Sequence, residues 1–215
     1  DGSYEAAAQA NNGDLATFHI SGGVSVNTTT LGMDTGTSPS LAIPTPATGV
    51  GAKIVSYAQG QAGYQDSPSG TYCNKFSAYW GAGSSCGNGN YSEEWCADFA
   101  AWAWRMAGVS FTYGSGSGDI NGAAASFYQW GVNHGSWHAA GSGYTPKPGD
   151  AVIYGLNSAG NYADHVAIVA SYTAGAAGPN VVNGDWWVNG NGGVVAANDQ
   201  TTATGSDGIS GYVTP

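Results

Sequence analysis

One cysteine and one histidine carry the chemistry that this sequence can perform. Cys96 opens the run Cys-Ala-Asp-Phe at the start of a predicted helix. The unpaired N–H groups of a first helical turn favour a thiolate and so predict a lowered pKa for this thiol. His165, alone among the four histidines, stands at the head of a predicted strand. An imidazole can accept the thiol proton, so the pair predicts nucleophilic catalysis through a thioester.

A third group should hold the imidazole of His165 in the correct tautomer. Asn183 and Asp185 stand on either side of Gly184 on a later predicted strand, where residues two apart share a face. Either side chain can accept the imidazole N–H. Spacing alone makes this a weak set, because a cysteine at a helix start is more often structural than catalytic.

The helix that carries Cys96 has both a start signal and a stop signal. Ser92 is predicted as the N-cap, with Glu93 and Glu94 in the first turn. Gly108 is predicted to end the helix. The sequence therefore predicts a helix over residues 92–107.

Other elements are predicted from hydrophobic spacing and turn residues. Helices are expected at 51–61 and 119–130, with coil between 62 and 89. The predicted strands after them lie at 150–154, 165–172, 180–183, 186–188, 194–197 and 211–213. Helices followed by a strand meander predict an α+β fold rather than alternating βαβ units.

The three cysteines occupy two different settings. Cys73 and Cys86 lie in a stretch rich in Gly, Ser and Asn, and we predict a disulfide between them. Closing so short a loop stabilises the fold by about 3 kcal/mol in the chain-entropy model. Cys96 would then remain a free thiol. The alternative is three buried thiols in a cytosolic protein.

The charge balance excludes one class of partner. The chain has 4 Lys+Arg against 14 Asp+Glu, for a net charge of -10. Its cations are scattered singly, at Lys53, Lys75, Arg105 and Lys147. Nucleic-acid binding requires clustered Lys and Arg, so no nucleic-acid partner is expected.

Composition also bears on location. No apolar run approaches the ~18–20 residues that span a bilayer, so no membrane insertion is expected. An acidic, Lys-poor chain rich in Gly, Ser, Thr and Asn is typical of secreted proteins. The chain starts at Asp1 without a basic-then-apolar leader, which fits a mature or trimmed product.

Two further groups of residues are candidates for a site. Trp95, Trp186 and Trp187 stand near the proposed site in sequence and are predicted to line a groove for sugars or peptide stems. His134 and His138 have a spacing that binds Zn²⁺ on a helix. Neighbouring glycines argue against a helix there, so both are interpreted as loop histidines without a metal.

Residues 52–215 resemble a CHAP domain, the cysteine- and histidine-dependent amidohydrolase/peptidase group related to the NlpC/P60 cell-wall hydrolases. Each matching motif is modest alone, but four in the right order are specific. They are EWCADFAAW at 94–102, KPGDAV at 147–152, DHVAIV at 164–169 and GYVTP at 211–215. The resemblance implies a papain-like fold with helices packed on an antiparallel sheet, and cleavage of peptidoglycan amide bonds without a metal or cofactor.

The resemblance also implies a role for the residues after the histidine strand. Many such domains carry Glu-Gly-Asn there, whereas this chain has Asn183-Gly184-Asp185. The resemblance places the orienting residue at Asn183, whose amide oxygen can accept the imidazole N–H. Asp185 is then a supporting or alternative partner.

The N-terminal part is predicted to be a separate module. Residues 1–43 are predicted as short strands and resemble one unit of a tandem β-repeat found in secreted actinobacterial hydrolases, followed by a linker at 44–51. One repeat cannot bury its own face. We expect either glycan contact by this module or a structural appendage.

Three functional hypotheses remain at this point. The first is a monomeric, secreted peptidoglycan hydrolase, either an endopeptidase or an N-acetylmuramoyl-L-alanine amidase. The second is a papain-like peptidase or transferase that acts on proteins. The third is a noncatalytic protein that binds glycan or cell wall through its aromatic surface.

Overall fold

Two compact units make up the chain, Asp1–Ile43 and Pro44–Pro215. A computed structural model describes residues 49–188 and 208–215, together with the strand segments 4–9, 15–21, 25–30 and 191–200. The proposed site residues all belong to the second unit.

The first unit contains an antiparallel meander. Its strands are β1 (Tyr4–Gln9), β2 (Leu15–Ser21) and β3 (Ser25–Thr30), in the order β1-β2-β3. They lie where the sequence predicts short strands. Whether this unit is a repeat and whether it contacts glycans stay predictions.

The second unit is an α+β fold, as predicted. Its helices in the described ranges are α1 (Val50–Gln59), α2 (Lys75–Trp80), α3 (Cys96–Met106) and α4 (Ala125–His134). Three short strands, β4 (Cys73–Asn74), β5 (Ser84–Ser85) and β6 (Tyr91–Ser92), form a small antiparallel sheet. The main sheet consists of β7 (Trp137–Ala139), β8 (Ala151–Tyr154), β9 (His165–Ser171), β10 (Asn180–Val188), β11 (Asn191–Gln200) and β12 (Ile209–Val213).

The main sheet is antiparallel, with strand order β11-β10-β9-β8-β12-β7 among the described strands. Helix α3 packs on β9 and β10, and α1 packs beside it. Alternation along β9 sends Val166 and Ile168 into the core under the helices, and Ala167 and Val169 into a smaller core on the other face. The sheet is therefore covered on both faces around β9, and the histidine strand is held rigidly.

Helix α3 begins later than the sequence predicts. Ser92 is not its N-cap, because Ser92 pairs with Cys73 and Ser84 in the small sheet and its hydroxyl donates to the carbonyl of Thr71. The helix starts at Cys96 itself. Cys96 is therefore the first residue of the helix rather than the fourth residue after a cap at Ser92.

Helix α4 is also displaced from its predicted range of 119–130. Asp119 accepts a hydrogen bond from the N–H of Gly116, and Asn121 accepts one from the N–H of Ala123, so both close turns before the helix. The helix continues through Gly131, where a Cβ would lie 2.8 Å from a methyl carbon of Val213. Close packing on β12 therefore explains a glycine whose type alone predicts a break in the helix.

Helix α2 lies within a stretch predicted as coil. Its signal is Asn74, whose side-chain oxygen accepts hydrogen bonds from the N–H groups of Phe76 and Ser77. The predicted disulfide between Cys73 and Cys86 is present in the same region, and Cys96 is free. No helix in the described ranges is long and apolar enough to cross a bilayer.

Candidate active site

The start of α3 and the start of β9 bring Cys96 and His165 into one pocket. Cys96 is the first residue of α3, and His165 is the first residue of β9. The thiol of Cys96 accepts a hydrogen bond from the backbone N–H of Val166, the residue next to the histidine. The packing of α3 on β9 therefore places the thiol beside the chain segment that carries the imidazole.

Burial determines the protonation state of the Cys96 thiol. The residue is only 9% exposed, and loss of hydration raises its pKa to about 12. Hydrogen bonds from the backbone N–H groups of Val166 and Ala97 oppose this rise, while the charges of Asp185 and Asp98 add to it. The lowered pKa predicted from the helix N-terminus is therefore wrong, because desolvation is the larger effect. The resting group is a neutral thiol.

The imidazole of His165 is held in a single tautomer. Its Nε2 lies 2.9 Å from Oδ1 of Asn183, and an amide oxygen only accepts, so Nε2 carries the proton. Burial lowers the pKa of His165 to about 4, which the hydrogen bond to Asn183 partly opposes. The ring is therefore neutral, and Nδ1 carries a lone pair that can accept a proton.

Asn183 is positioned by the pairing of β10 with β9. It lies opposite Ala167 in that pair and is fully buried. Its amide nitrogen has no hydrogen-bond partner among the described residues, whereas its oxygen is used by the histidine. The residue gives up one hydrogen bond in the core but keeps the one that orients the ring.

Asp185 does not contact the same group as Asn183. The pairing of β10 with β11 is irregular between Asn183 and Trp186, and Asp185 has a left-handed φ of 55°. Its Oδ2 accepts a hydrogen bond from the backbone N–H of Trp95 at 3.0 Å. The prediction that Asn183 and Asp185 share a face is therefore wrong, because the bulge breaks the alternation. Asp185 contacts the segment before the nucleophile rather than His165.

The three tryptophans predicted to line a groove have different positions. Trp95 is fully buried and stacks on Phe76 at 5.4 Å between ring centroids, so its assignment to substrate binding is wrong. The ring of Trp186 lies 5.0 Å from that of His165 and shields it. Trp187 is 71% exposed and lines the pocket.

The pocket is lined by carboxylates that the sequence did not single out as a group. It has a volume of about 320 Å³. Its acidic lining residues are Asp66, Glu94, Asp164 and Asp185, and no Lys or Arg lines it among the described residues. Asp185 was predicted as a site residue, and Asp164 had a local signal in its position before His165. Asp66 is distant in sequence and reaches the pocket from a loop. It stabilises this loop because it accepts hydrogen bonds from the N–H groups of Gly70 and Tyr72.

A second acidic group lies beneath the start of α3. Glu93 Oε1 and Asp98 Oδ2 are buried without a hydrogen-bond donor in the described residues, and the hydroxyl of Tyr113 donates to the other oxygen of Asp98. Burial and a hydrogen bond between the two carboxyl groups raise the pKa of Glu93 to about 8. Glu93 is therefore mostly protonated at neutral pH.

The two histidines spaced four apart lie on different elements. His134 ends α4, where its Nδ1 donates to the carbonyl oxygen of Trp130, and His138 lies on β7 and stacks on Tyr144. Their predicted placement in a loop is wrong. The described residues hold no cluster of three or more His, Cys, Asp or Glu side chains suited to a metal ion.

Comparison with known proteins gives one family. A search of curated proteins and a search of solved structures return no match. One family model matches residues 85–184, just under half of the chain. The matched segment contains Cys96, His165 and Asn183 and ends one residue before Asp185. The model is that of the CHAP domain, which supports the CHAP resemblance and with it a hydrolase of amide bonds.

Proposed function

We propose that the protein is a secreted peptidoglycan hydrolase that cleaves amide bonds through a thioester on Cys96. One observation carries the proposal. A free thiol at the start of α3 lines the same pocket as a neutral imidazole, and Asn183 holds that imidazole with its proton on Nε2. This arrangement supports Cys96 as the nucleophile, His165 as the base and Asn183 as the orienting group.

The first half-reaction forms the acyl-enzyme. As Sγ of Cys96 attacks the amide carbonyl carbon, its proton passes to Nδ1 of His165. The backbone N–H of Cys96 at the open end of α3 donates to the oxygen that becomes negative. Asn183 stabilises the new imidazolium through the Nε2 hydrogen bond. His165 then protonates the leaving amine, and the C–N bond breaks to leave a thioester.

The second half-reaction returns the enzyme to its resting state. Nδ1 of His165 accepts a proton from water, and the resulting hydroxide attacks the thioester carbon. The C–S bond breaks, a carboxylic acid leaves, and the proton returns to Sγ of Cys96. Every step uses side chains of this chain.

Burial explains why the pair starts neutral. The raised pKa of Cys96 and the lowered pKa of His165 both oppose a separated thiolate and imidazolium in the closed pocket. Proton transfer therefore accompanies attack rather than preceding it. A substrate carbonyl that takes up the negative charge removes the cost of an isolated buried thiolate.

The residues that line the pocket favour some substrates over others. Exposed aromatic rings of Tyr72, Tyr162 and Trp187 offer stacking surfaces for a sugar or a peptide stem. The carboxylates around them repel a stem with free carboxylates and favour one with amide or amine groups. Amidated and free-acid stem peptides of equal length would measure this preference through kcat/KM.

Location outside the cell is part of the proposal. The acidic, Lys-poor composition and the Cys73–Cys86 disulfide support it, because structural disulfides persist in oxidising compartments. Peptidoglycan lies outside the membrane, so the proposed substrate and the proposed location agree.

Mass analysis of the fragments released from purified peptidoglycan tests the function. New amino termini within the stem would identify an endopeptidase, and intact stems freed from the glycan would identify an N-acetylmuramoyl-L-alanine amidase. Pretreatment with iodoacetamide should block release. Binding to the wall without fragments would favour the noncatalytic alternative, and cleavage of proteins alone would favour the papain-like peptidase.

A further inference from the structure

The carboxylate of Asp185 crosses from β10 to the segment just before the nucleophile. Its Oδ2 accepts a hydrogen bond from the backbone N–H of Trp95 at 3.0 Å, and Trp95 is the residue directly before α3. The side chain of Trp95, the N-cap residue of α3, makes no capping hydrogen bond to the helix. Asp185 therefore supplies, from another element, a hydrogen bond at the entry to α3.

The backbone around Asp185 is shaped for this contact. Gly184 packs against α3 so closely that a Cβ would lie 2.5 Å from Cβ of Phe99. Asp185 then adopts its left-handed φ of 55°, a conformation that Asn, Asp and Gly accept more readily than other residues. The bend after Asn183 thus turns the next carboxylate towards α3 instead of towards His165.

One short segment of β10 consequently bonds His165 and the residue before Cys96. Asn183 accepts a hydrogen bond from the imidazole of His165, and Asp185 accepts one from the N–H of the Glu94–Trp95 peptide. The next peptide, between Trp95 and Cys96, carries the N–H group proposed to stabilise the oxyanion. Its orientation sets the place of both the sulfur and that donor.

We propose that Asp185 is a positioning residue that holds the Glu94–Trp95 peptide, one residue before the nucleophile, and thereby aligns the thiol and the oxyanion donor of Cys96 with the substrate carbonyl. The inference rests on the proposed cysteine-hydrolase function. It assigns Asp185 a task separate from orienting His165, and it links the strand of the orienting residue to the helix of the nucleophile.

Ionisation of Asp185 strengthens the anchor. Burial and the charges of Glu94 and Asp66 raise its pKa to about 6, although the Trp95 hydrogen bond opposes the rise. Cys96, His165 and Asp164 line the same pocket, with Cys96 and His165 neutral at rest. Protonation of Asp185 weakens its hydrogen bond, so the anchor is strongest above about pH 6 and weakens as the pH falls.

Two variants that both remove the charge of Asp185 test the proposal. Asp185→Asn keeps an acceptor oxygen and tolerates the left-handed φ, whereas Asp185→Gly tolerates that φ but has no acceptor. We expect kcat at pH 7 to stay within about threefold of wild type for Asp185→Asn and to fall about 10–100-fold for Asp185→Gly, with KM little changed. Between about pH 6 and pH 4, kcat of Asp185→Asn should change less with pH than that of wild type, because the variant has no carboxylate to protonate at position 185.

Amide hydrogen exchange at Trp95 gives a readout that needs no substrate. Exchange should remain slow in Asp185→Asn and become at least about tenfold faster in Asp185→Gly. Wild-type kcat in Asp185→Gly, or equal loss of kcat in both variants, would overturn the proposal.

The same experiment separates this inference from the proposed function. If wild-type protein releases no fragments from peptidoglycan, the proposed function fails, but the alkylation rate of Cys96 by iodoacetamide still compares the two variants. Because neither variant carries the Asp185 charge, a different rate in Asp185→Gly supports a positional effect on the thiol. Equal alkylation and equal Trp95 exchange in the two variants would overturn it.

Discussion

Oδ1 of Asn183 lies 2.9 Å from Nε2 of His165, and both residues are held by the antiparallel pair of β9 and β10. This hydrogen bond decides which ring nitrogen carries the proton. It leaves Nδ1 with a free lone pair, and Nδ1 is the proposed base for the Cys96 thiol, to which the neighbouring backbone N–H of Val166 donates a hydrogen bond.

Loss of this hydrogen bond should lower turnover more than binding. Asn183→Ala removes the acceptor, so the ring samples the wrong tautomer, and we expect kcat to fall by about 10²-fold or more with a small change in KM. Asn183→Asp keeps an acceptor and should retain more activity than Asn183→Ala. Asn180→Ala on the same strand is the control, because Asn180 contacts Ser171 instead. An Asn183→Ala enzyme with wild-type kcat would show that this contact does not orient the base.

Alkylation of Cys96 should report a neutral thiol. With a pKa of about 12, the thiolate fraction rises about tenfold per pH unit, so the iodoacetamide rate should climb through neutral pH without levelling off. The other two cysteines are bridged and do not compete for the reagent. A rate that reaches a plateau near pH 7 would indicate a preformed thiolate–imidazolium pair instead.

Two tryptophans close in space to the site should behave in opposite ways when truncated. Trp187→Ala should raise KM several-fold and leave the unfolding temperature unchanged, because this side chain is 71% exposed at the pocket. Trp95→Ala should lower the free energy of unfolding by about 3–5 kcal/mol, because Trp95 is fully buried. Steady-state kinetics and denaturant unfolding measure the two effects. An unchanged KM in Trp187→Ala would remove this residue from the binding surface.

The raised pKa of Glu93 should make stability depend on pH. In the unfolded chain Glu93 ionises near 4.5, but in the folded protein it ionises near 8, so the folded state loses stability as the pH rises across this interval. Glu93→Gln carries an amide that can donate to Asp98 at any pH. The variant should therefore gain stability over wild type as the pH rises from 5 to 8.

Thermal unfolding at several pH values measures that gain. Glu94→Gln is the matched control, because it removes one carboxylate from an exposed neighbouring position. A difference in stability between Glu93→Gln and wild type that stays constant with pH would contradict the raised pKa of Glu93.

The sequence predicted those parts of the site that local signals encode. Cys96 at a helix start, His165 at a strand start and the Cys73–Cys86 loop all have recognisable neighbours in the chain. The α+β class followed from the order of helical and alternating patterns. Residue type and short-range spacing are sufficient for such features.

The features that could not be predicted from the sequence depend on contacts between distant segments. The start of α3 differs from its prediction because Ser92 pairs with strands whose partners lie elsewhere in the chain. A regular strand would place Asp185 on the face of Asn183, beside His165, and residue types do not reveal the bulge that prevents this. The pKa of Cys96 was predicted too low because burial by the sheet outweighs the helix terminus.

The rate of amide-bond cleavage in purified peptidoglycan by Cys96→Ala tests the central claim most directly. Circular dichroism and the unfolding temperature should first show that the variant folds, because alanine fills most of the same site. We expect the release of new amino groups to fall at least about 10³-fold relative to wild type, to the level of untreated wall. Cleavage at the wild-type rate by the folded variant would contradict the proposal that this sulfur is the nucleophile.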